Sequence, residues 1–178
     1  MARMRATRAW VSALVLTLGL ATATIAGPGP AAATTPSPAT AAYDAQQVFA
    51  LINTERHAHG LAALRWNTRL SAAAHSHNLL MAKYNTLSHQ LPGELSFGAR
   101  ITAAGYSWRA IGENCAWTSN WSLAGVLAAH NGMYNEVAPN DPHRRNILST
   151  TLRDVGIDIV MDAVHLKAWI TEDFAAPA

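Results

Sequence analysis

Val155-Gly156-Ile157-Asp158-Ile159-Val160-Met161, followed by Val164 through Phe174, is the stretch whose reading decides the fold. Its first half alternates apolar and polar residues, the period of a strand with one buried face, and the second run is also rich in β-formers. Asp162 and Ala163 lie between them, so the pair reads as two strands joined by a tight turn. The chain before it has a different period. Asp44 is placed to cap a helix in which Val48, Leu51, Ile52 and Glu55 recur at helical spacing until Gly60. Leu61 to Trp66 reads as a connector with buried anchors. Thr68 to Lys83 predicts a second helix, with Leu70, Ala73, Ala74, His77, Leu80 and Met81 as its inward stripe. Ser96 to Ala104 predicts a short helix closed by Gly105, and Trp121 or Ser122 opens another toward Tyr134. Helices first and strands last predict an α+β domain, an antiparallel sheet covered by helices.

The amino terminus does not belong to that core. Arg3, Arg5 and Arg8 precede an apolar run from Trp10 to Leu20, and small residues offer cleavage points after Ala23, Ala26 or Ala33. This is the layout of a secretory signal peptide over residues 1–26, or to 33, and the run is short for a membrane span. Residues 27–42, rich in Ala, Thr and Pro and free of charge, read as a tether to a domain over 43–175. The formal charge of +2 includes the three leader arginines. After residue 42 stand ten basic against eleven acidic groups, a net of −1, so net charge predicts no grip on nucleic acid or acidic membranes. Cys115 is the single cysteine, so no intramolecular disulfide can form, and with no basic neighbour it reads as a small buried hydrophobe.

Four residues carry candidate chemistry: His89 in Leu-Ser-His-Gln, Glu113 in Gly-Glu-Asn, Glu136 in Met-Tyr-Asn-Glu, and His143 in Asp-Pro-His-Arg-Arg-Asn. Two imidazoles and two carboxylates that converge can hold a divalent cation, or hydrogen-bond one another without one. Glu113 sits between Ile111 and Cys115-Ala116-Trp117, so its carboxylate is expected to be partly buried and to need a partner. Asp141 and Pro142 read as the cap and first residue of a short helix that holds His143 in place. His77 reads as a core or hydrogen-bonding histidine. His57 and His59 read as solvated, and His165 and Lys167 as solvent-facing residues of a strand.

These features also carry a resemblance. Leu51-Ile-Asn-Thr-Glu-Arg, Gly60-Leu with Leu64-Arg-Trp, Leu70-Ser-Ala-Ala-Ala, Leu87-Ser-His89, Gly112-Glu-Asn, Asn140 to Leu148 and Val155-Gly-Ile together resemble the CAP superfamily, in particular its bacterial branch, over roughly Tyr43 to Phe174. That superfamily comprises cysteine-rich secretory proteins, antigen five proteins and pathogenesis-related proteins. The resemblance implies a three-layer α-β-α sandwich whose cleft holds a tetrad, here His89, Glu113, Glu136 and His143. It implies zinc or another divalent ion on the histidines in those members that bind metal. Pro142 stands where relatives commonly carry glycine, and Met133 where tryptophan is frequent.

The functional expectation is therefore a secreted, monomeric module of the envelope or extracellular space. It would bind a divalent metal and a small-molecule, lipid, glycan or cell-wall ligand in the tetrad cleft, without catalysis. Two alternatives use the same residues. One is a metal-dependent hydrolase with Glu113 or Glu136 as general base, and the other a polar cluster that holds no metal.

Overall fold

The computed structural model describes residues 37–178; the leader and its cleavage points lie outside the described residues. Five helices and four strands follow in the order α1 (Pro38–Ala58), β1 (Arg65–Trp66), α2 (Thr68–Tyr84), α3 (Phe97–Ala103), β2 (Trp108–Thr118), α4 (Leu123–Tyr134), α5 (Pro142–Ile147), β3 (Asp154–Asp162) and β4 (Lys167–Pro177). The strands form one sheet in the order β1-β3-β4-β2. β4 pairs antiparallel with both β3 and β2, and the two-residue β1 pairs parallel with the start of β3.

The alternation of β4 shows the layering. Thr171 donates to Asn78 of α2, whereas Glu172 takes hydrogen bonds from His130 of α4 and Asn114 of β2. Successive strand side chains point to opposite faces, so α2 covers one face and α4 the other. The larger apolar core lies on the α4 side. There Val48 and Ile52 of α1 and Val126 of α4 meet Ile157, Ile159, Ile170 and Phe174. Each such buried side chain contributes about 1.5–3 kcal/mol. On the α2 side two smaller clusters form, one around Leu70, Ile101 and Ala175, the other around Met81, Cys115 and Trp169. Gly156 brings α2 down onto β3, since a Cβ there would stand 2.1 Å from the Ser71 nitrogen.

Several elements differ from their sequence reading. α1 starts at Pro38, capped by the Ser37 hydroxyl, so the last five residues assigned to the tether are helical and Asp44 is buried within the helix. The anchors of the Leu61–Trp66 connector include β1. The turn between the last two strands is longer than Asp162-Ala163, and Val164 and His165 belong to it. Asp162 accounts for this, because its carboxylate accepts from the Val164 and His165 backbone and from His165 Nδ1.

Candidate functional site

The segment Gly112-Glu113-Asn114 lies at the middle of β2, an edge strand, and each residue has a distinct structural part. Gly112 admits α5, because a Cβ there would stand 2.5 Å from Asn146 Oδ1. Glu113, opposite Asp173 in the strand register, accepts from His89 Nδ1 at 2.8 Å and from the Arg100 guanidinium. Asn114 reaches across the other face, donating to Glu172 at 3.0 Å and to the His143 carbonyl at 3.3 Å. Asn146 donates back to the Asn114 side chain and to the Glu113 carbonyl, at 2.9 and 3.2 Å. α5, which carries His143, is thus tied to the strand that carries Glu113.

The four candidate residues form two hydrogen-bonded pairs. In the first, the His89 side chain is 59% exposed while that of Glu113 is 2% exposed. Burial pushes the Glu113 carboxyl up, but the His89 hydrogen bond and the Arg100 charge outweigh it and hold the group below its usual range. The same hydrogen bond raises His89 above the ordinary imidazole value. In the second pair Glu136, just past the end of α4, accepts from His143 Nδ1 at 2.5 Å through one oxygen. Its other oxygen accepts from the His143 and Arg144 backbone N–H groups at 2.9 and 3.4 Å. Burial raises Glu136, and these bonds outweigh it, lowering its pKa. Pro142 opens α5 where its missing N–H costs nothing. Met133 is buried. In both pairs Nδ1 is engaged, and Nε2 has no hydrogen-bond partner among the described residues.

One group of three potential ligands among the described residues brings its atoms within 4.8 Å of one another: His77, Glu113 and Cys115, rather than the tetrad. Its chemistry argues against a metal. His77, fully buried as expected, gives Nδ1 to Glu94 and Nε2 to the Ser88 carbonyl, both at 2.7 Å, so neither ring nitrogen is free. Burial and the Glu113 charge push the Cys115 thiol up.

Several residues of this site escaped the sequence reading. Arg100, buried in α3, bridges Glu113 and Glu94 and donates to the His89 and Leu95 carbonyls. Asp173 is fully buried beside Glu113, and neither of its oxygens finds a donor among the described residues. Burial and the Glu113 charge raise it well above the usual carboxylate range, and in its protonated form it can donate to Glu113. On the opposite face, His130 lies buried between Glu172 at 2.6 Å and Glu55 at 3.0 Å. A lone arginine in a short helix and an acid in a strand were the available signals, and neither indicates its partner.

A family model described as the Cysteine-rich secretory protein family (CAP) matches residues 49–174. The chain belongs to this CAP family. An extracellular protein of Bacillus anthracis that contains an SCP domain has 25% sequence identity and a TM-score of 0.64, with 75% of this chain and 40% of that chain covered. An outer surface protein of Borrelia burgdorferi has 18% identity and a TM-score of 0.64, covering 76% and 94% of the two chains. NaASP2, solved with Zn²⁺, has 11% identity and a TM-score of 0.56, covering 78% and 82%. No curated protein matches the sequence. These CAP neighbours share the α-β-α sandwich and include extracellular and outer-surface proteins. No described helix of this CAP domain is long and apolar enough to cross a membrane.

Proposed function

We propose that this CAP protein is an exported, non-catalytic binding module whose cleft takes a divalent cation, with zinc as the best match. The supporting observation is the engagement of Nδ1 of both His89 and His143 by a glutamate, with both Nε2 atoms without partners among the described residues. A carboxylate on one ring nitrogen fixes the tautomer and orients the other nitrogen toward a metal. The likeness to NaASP2, solved with Zn²⁺, points the same way. In this reading His89 and His143 ligate, while Glu113 and Glu136 orient. When bound, the ion would supply a charged, Lewis-acidic centre for an extracellular ligand. Export is supported by the basic-apolar-small pattern of residues 3–33.

Binding is favoured over hydrolysis by the state of the carboxylates. Glu113 gives one oxygen to His89 and the other to Arg100, and both oxygens of Glu136 already accept hydrogen bonds. A general base works best with a pKa near the operating pH, and the bonds from His89, Arg100 and His143 hold both carboxyls below their ordinary value. The test is metal analysis of untagged protein, followed by calorimetric titration with Zn²⁺. One ion per chain is expected, lost in His89→Ala/His143→Ala and weakened about 10–100-fold in Glu113→Gln. Unchanged binding in the double variant would overturn the assignment. Turnover of peptide, ester or wall-derived substrates that disappears in Glu113→Gln would establish the hydrolase instead. Absence of binding would leave a polar cluster.

A further inference from the structure

Five of the ten exposed large hydrophobic side chains among the described residues belong to segments that meet at one end of the sheet: Tyr84, Leu87, Trp117, Val164 and Leu166. The register sets Trp117 opposite Trp169, two residues into β4 from the turn that carries Val164 and Leu166. Lys167 fastens this end to the last turn of α2, donating to Asn85 Oδ1 at 2.7 Å. The chain has two lysines, and both are here. Lys83 Nζ lies 5.2 Å from the Tyr84 ring centroid, and Lys167 Nζ lies 4.4 Å from that of Trp117. Asp162, the carboxylate of the turn, is buried and directed onto His165 and Trp169, so it is not itself presented at the surface.

The turn itself is built against its own solvation. Val164 is 84% and Leu166 64% exposed. Leu166 has φ 55°, a left-handed conformation that glycine or asparagine adopts at lower cost than leucine. Backbone preference and solvent both argue for another residue there. The turn is also held firmly, because Asp162 accepts from the backbone N–H groups of Val164 and His165. Two apolar side chains are therefore presented on a fixed hairpin tip, flanked by the Trp117 ring and the Lys167 ammonium group, with Lys83 in the last turn of α2.

We infer that this end docks on an anionic lipid bilayer, with Val164 and Leu166 entering the acyl boundary, Trp117 and Tyr84 at headgroup depth, and Lys83 and Lys167 on lipid phosphates. Aromatic rings and lysines with long apolar stems suit that interface, and apolar insertion combined with local positive charge is how peripheral helices and loops hold to it. A bilayer is favoured over a protein partner by this combination of a small protruding apolar tip with lysines nearby and the turn's one carboxylate turned inward. The domain's net charge of −1 supplies no long-range attraction, so the contact is local and weakens with salt.

The test is co-sedimentation of the full chain, produced with its own leader so that any cellular processing is kept, with phosphatidylglycerol–phosphatidylcholine vesicles and with pure phosphatidylcholine vesicles. EDTA is present, which separates the result from zinc binding. Binding is expected on the anionic vesicles and is reduced by added salt. Val164→Ser with Leu166→Asn lowers partitioning about tenfold or more. Lys83→Gln with Lys167→Gln lowers it about tenfold on anionic vesicles alone. Val137→Ser, an exposed control on another loop, leaves it unchanged. Unaltered melting curves by circular dichroism show that the exposed substitutions leave the fold intact. Equal binding by either double variant and the parent, or no preference for anionic vesicles, overturns the inference. So does self-association abolished by the turn variant without vesicle binding, which would assign the patch to a second copy of the chain.

Discussion

Asp173 shows how a single side chain can set the character of this site. It stands opposite Glu113 in β2 and opposite Gly156 in β3, fully buried. Ionised, it would lack a donor on either oxygen; protonated, it can donate to Glu113. Its raised pKa has a direct consequence for stability. The folded chain holds this proton while the unfolded chain releases it near pH 4, so stability is lost as pH rises above that value. An asparagine keeps the shape and a donor toward Glu113 without that loss. In urea unfolding at pH 4 and pH 7, Asp173→Asn should gain on the parent at the higher pH. A variant less stable at pH 7, with no relative gain from pH 4, would show that the acid is ionised and paired. Little of this was legible in the sequence. Glu113 was marked by its apolar neighbours, but Asp173 lies in a β-rich run where alternation predicts an acid on an exposed face. Its burial arises from α2 covering that face, a contact made some ninety residues away in the chain.

At the scale of elements, α2 was read nearly to its ends because its stripe is buried on one side only; Leu70, Ala73, Ala74, His77 and Met81 are all inaccessible. α3, α4 and α5 were similarly located by Gly105, Ser122 and Asp141-Pro142. β2 had no such reading. Gly112 through Cys115 are buried regardless of which face they point to, because α2 lies on one side and α4 and α5 on the other, and this erases the two-residue period. The same sandwiching creates the Glu55–His130–Glu172 contact, which joins α1, α4 and β4. Burial lowers His130, but the two carboxylates outweigh it and raise its pKa to about 10. A raised histidine contributes stability that is complete below its unfolded value, near 6.5, and is lost as pH rises through the folded value. Between pH 7 and 10 the parent should therefore lose stability in excess of His130→Ala, measured by denaturant unfolding across that range. At pH 7 the variant should be weaker by about 3–5 kcal/mol, since it strands two buried acids. Parallel pH profiles for the two proteins would remove His130 from the account.

For the whole molecule, the CAP resemblance carried the architecture and left open what the two histidine–glutamate pairs do together. α5 is fixed to β2 by Asn114 and Asn146, whereas His89 is exposed and held by Glu113. A cation that joined the two sides would clip the loop after α2 to α5, and binding to the folded state alone raises stability by mass action. At a hundredfold excess over Kd this is about 2.7 kcal/mol, or a rise in Tm of roughly 5–10 °C for a domain of this size. Protons oppose the clip. The Glu113 hydrogen bond raises His89, so its imidazole retains a proton to a higher pH than a free one, and zinc must displace it. The same ion pair stabilises the metal-free protein below about pH 6.5 and fades as pH rises through the raised value. Both effects act in one direction, so the zinc-induced rise in Tm should be largest near pH 8 and shrink before pH 6.5 is reached. In Glu113→Gln the His89 proton is held less tightly, so the pH at which the increment fades should move down even as the increment itself becomes smaller. Thermal melts with Zn²⁺ and with EDTA at pH 5.5, 6.5, 7.5 and 8 read this directly. An increment that is independent of pH, or that survives in His89→Ala/His143→Ala, would place the ion elsewhere.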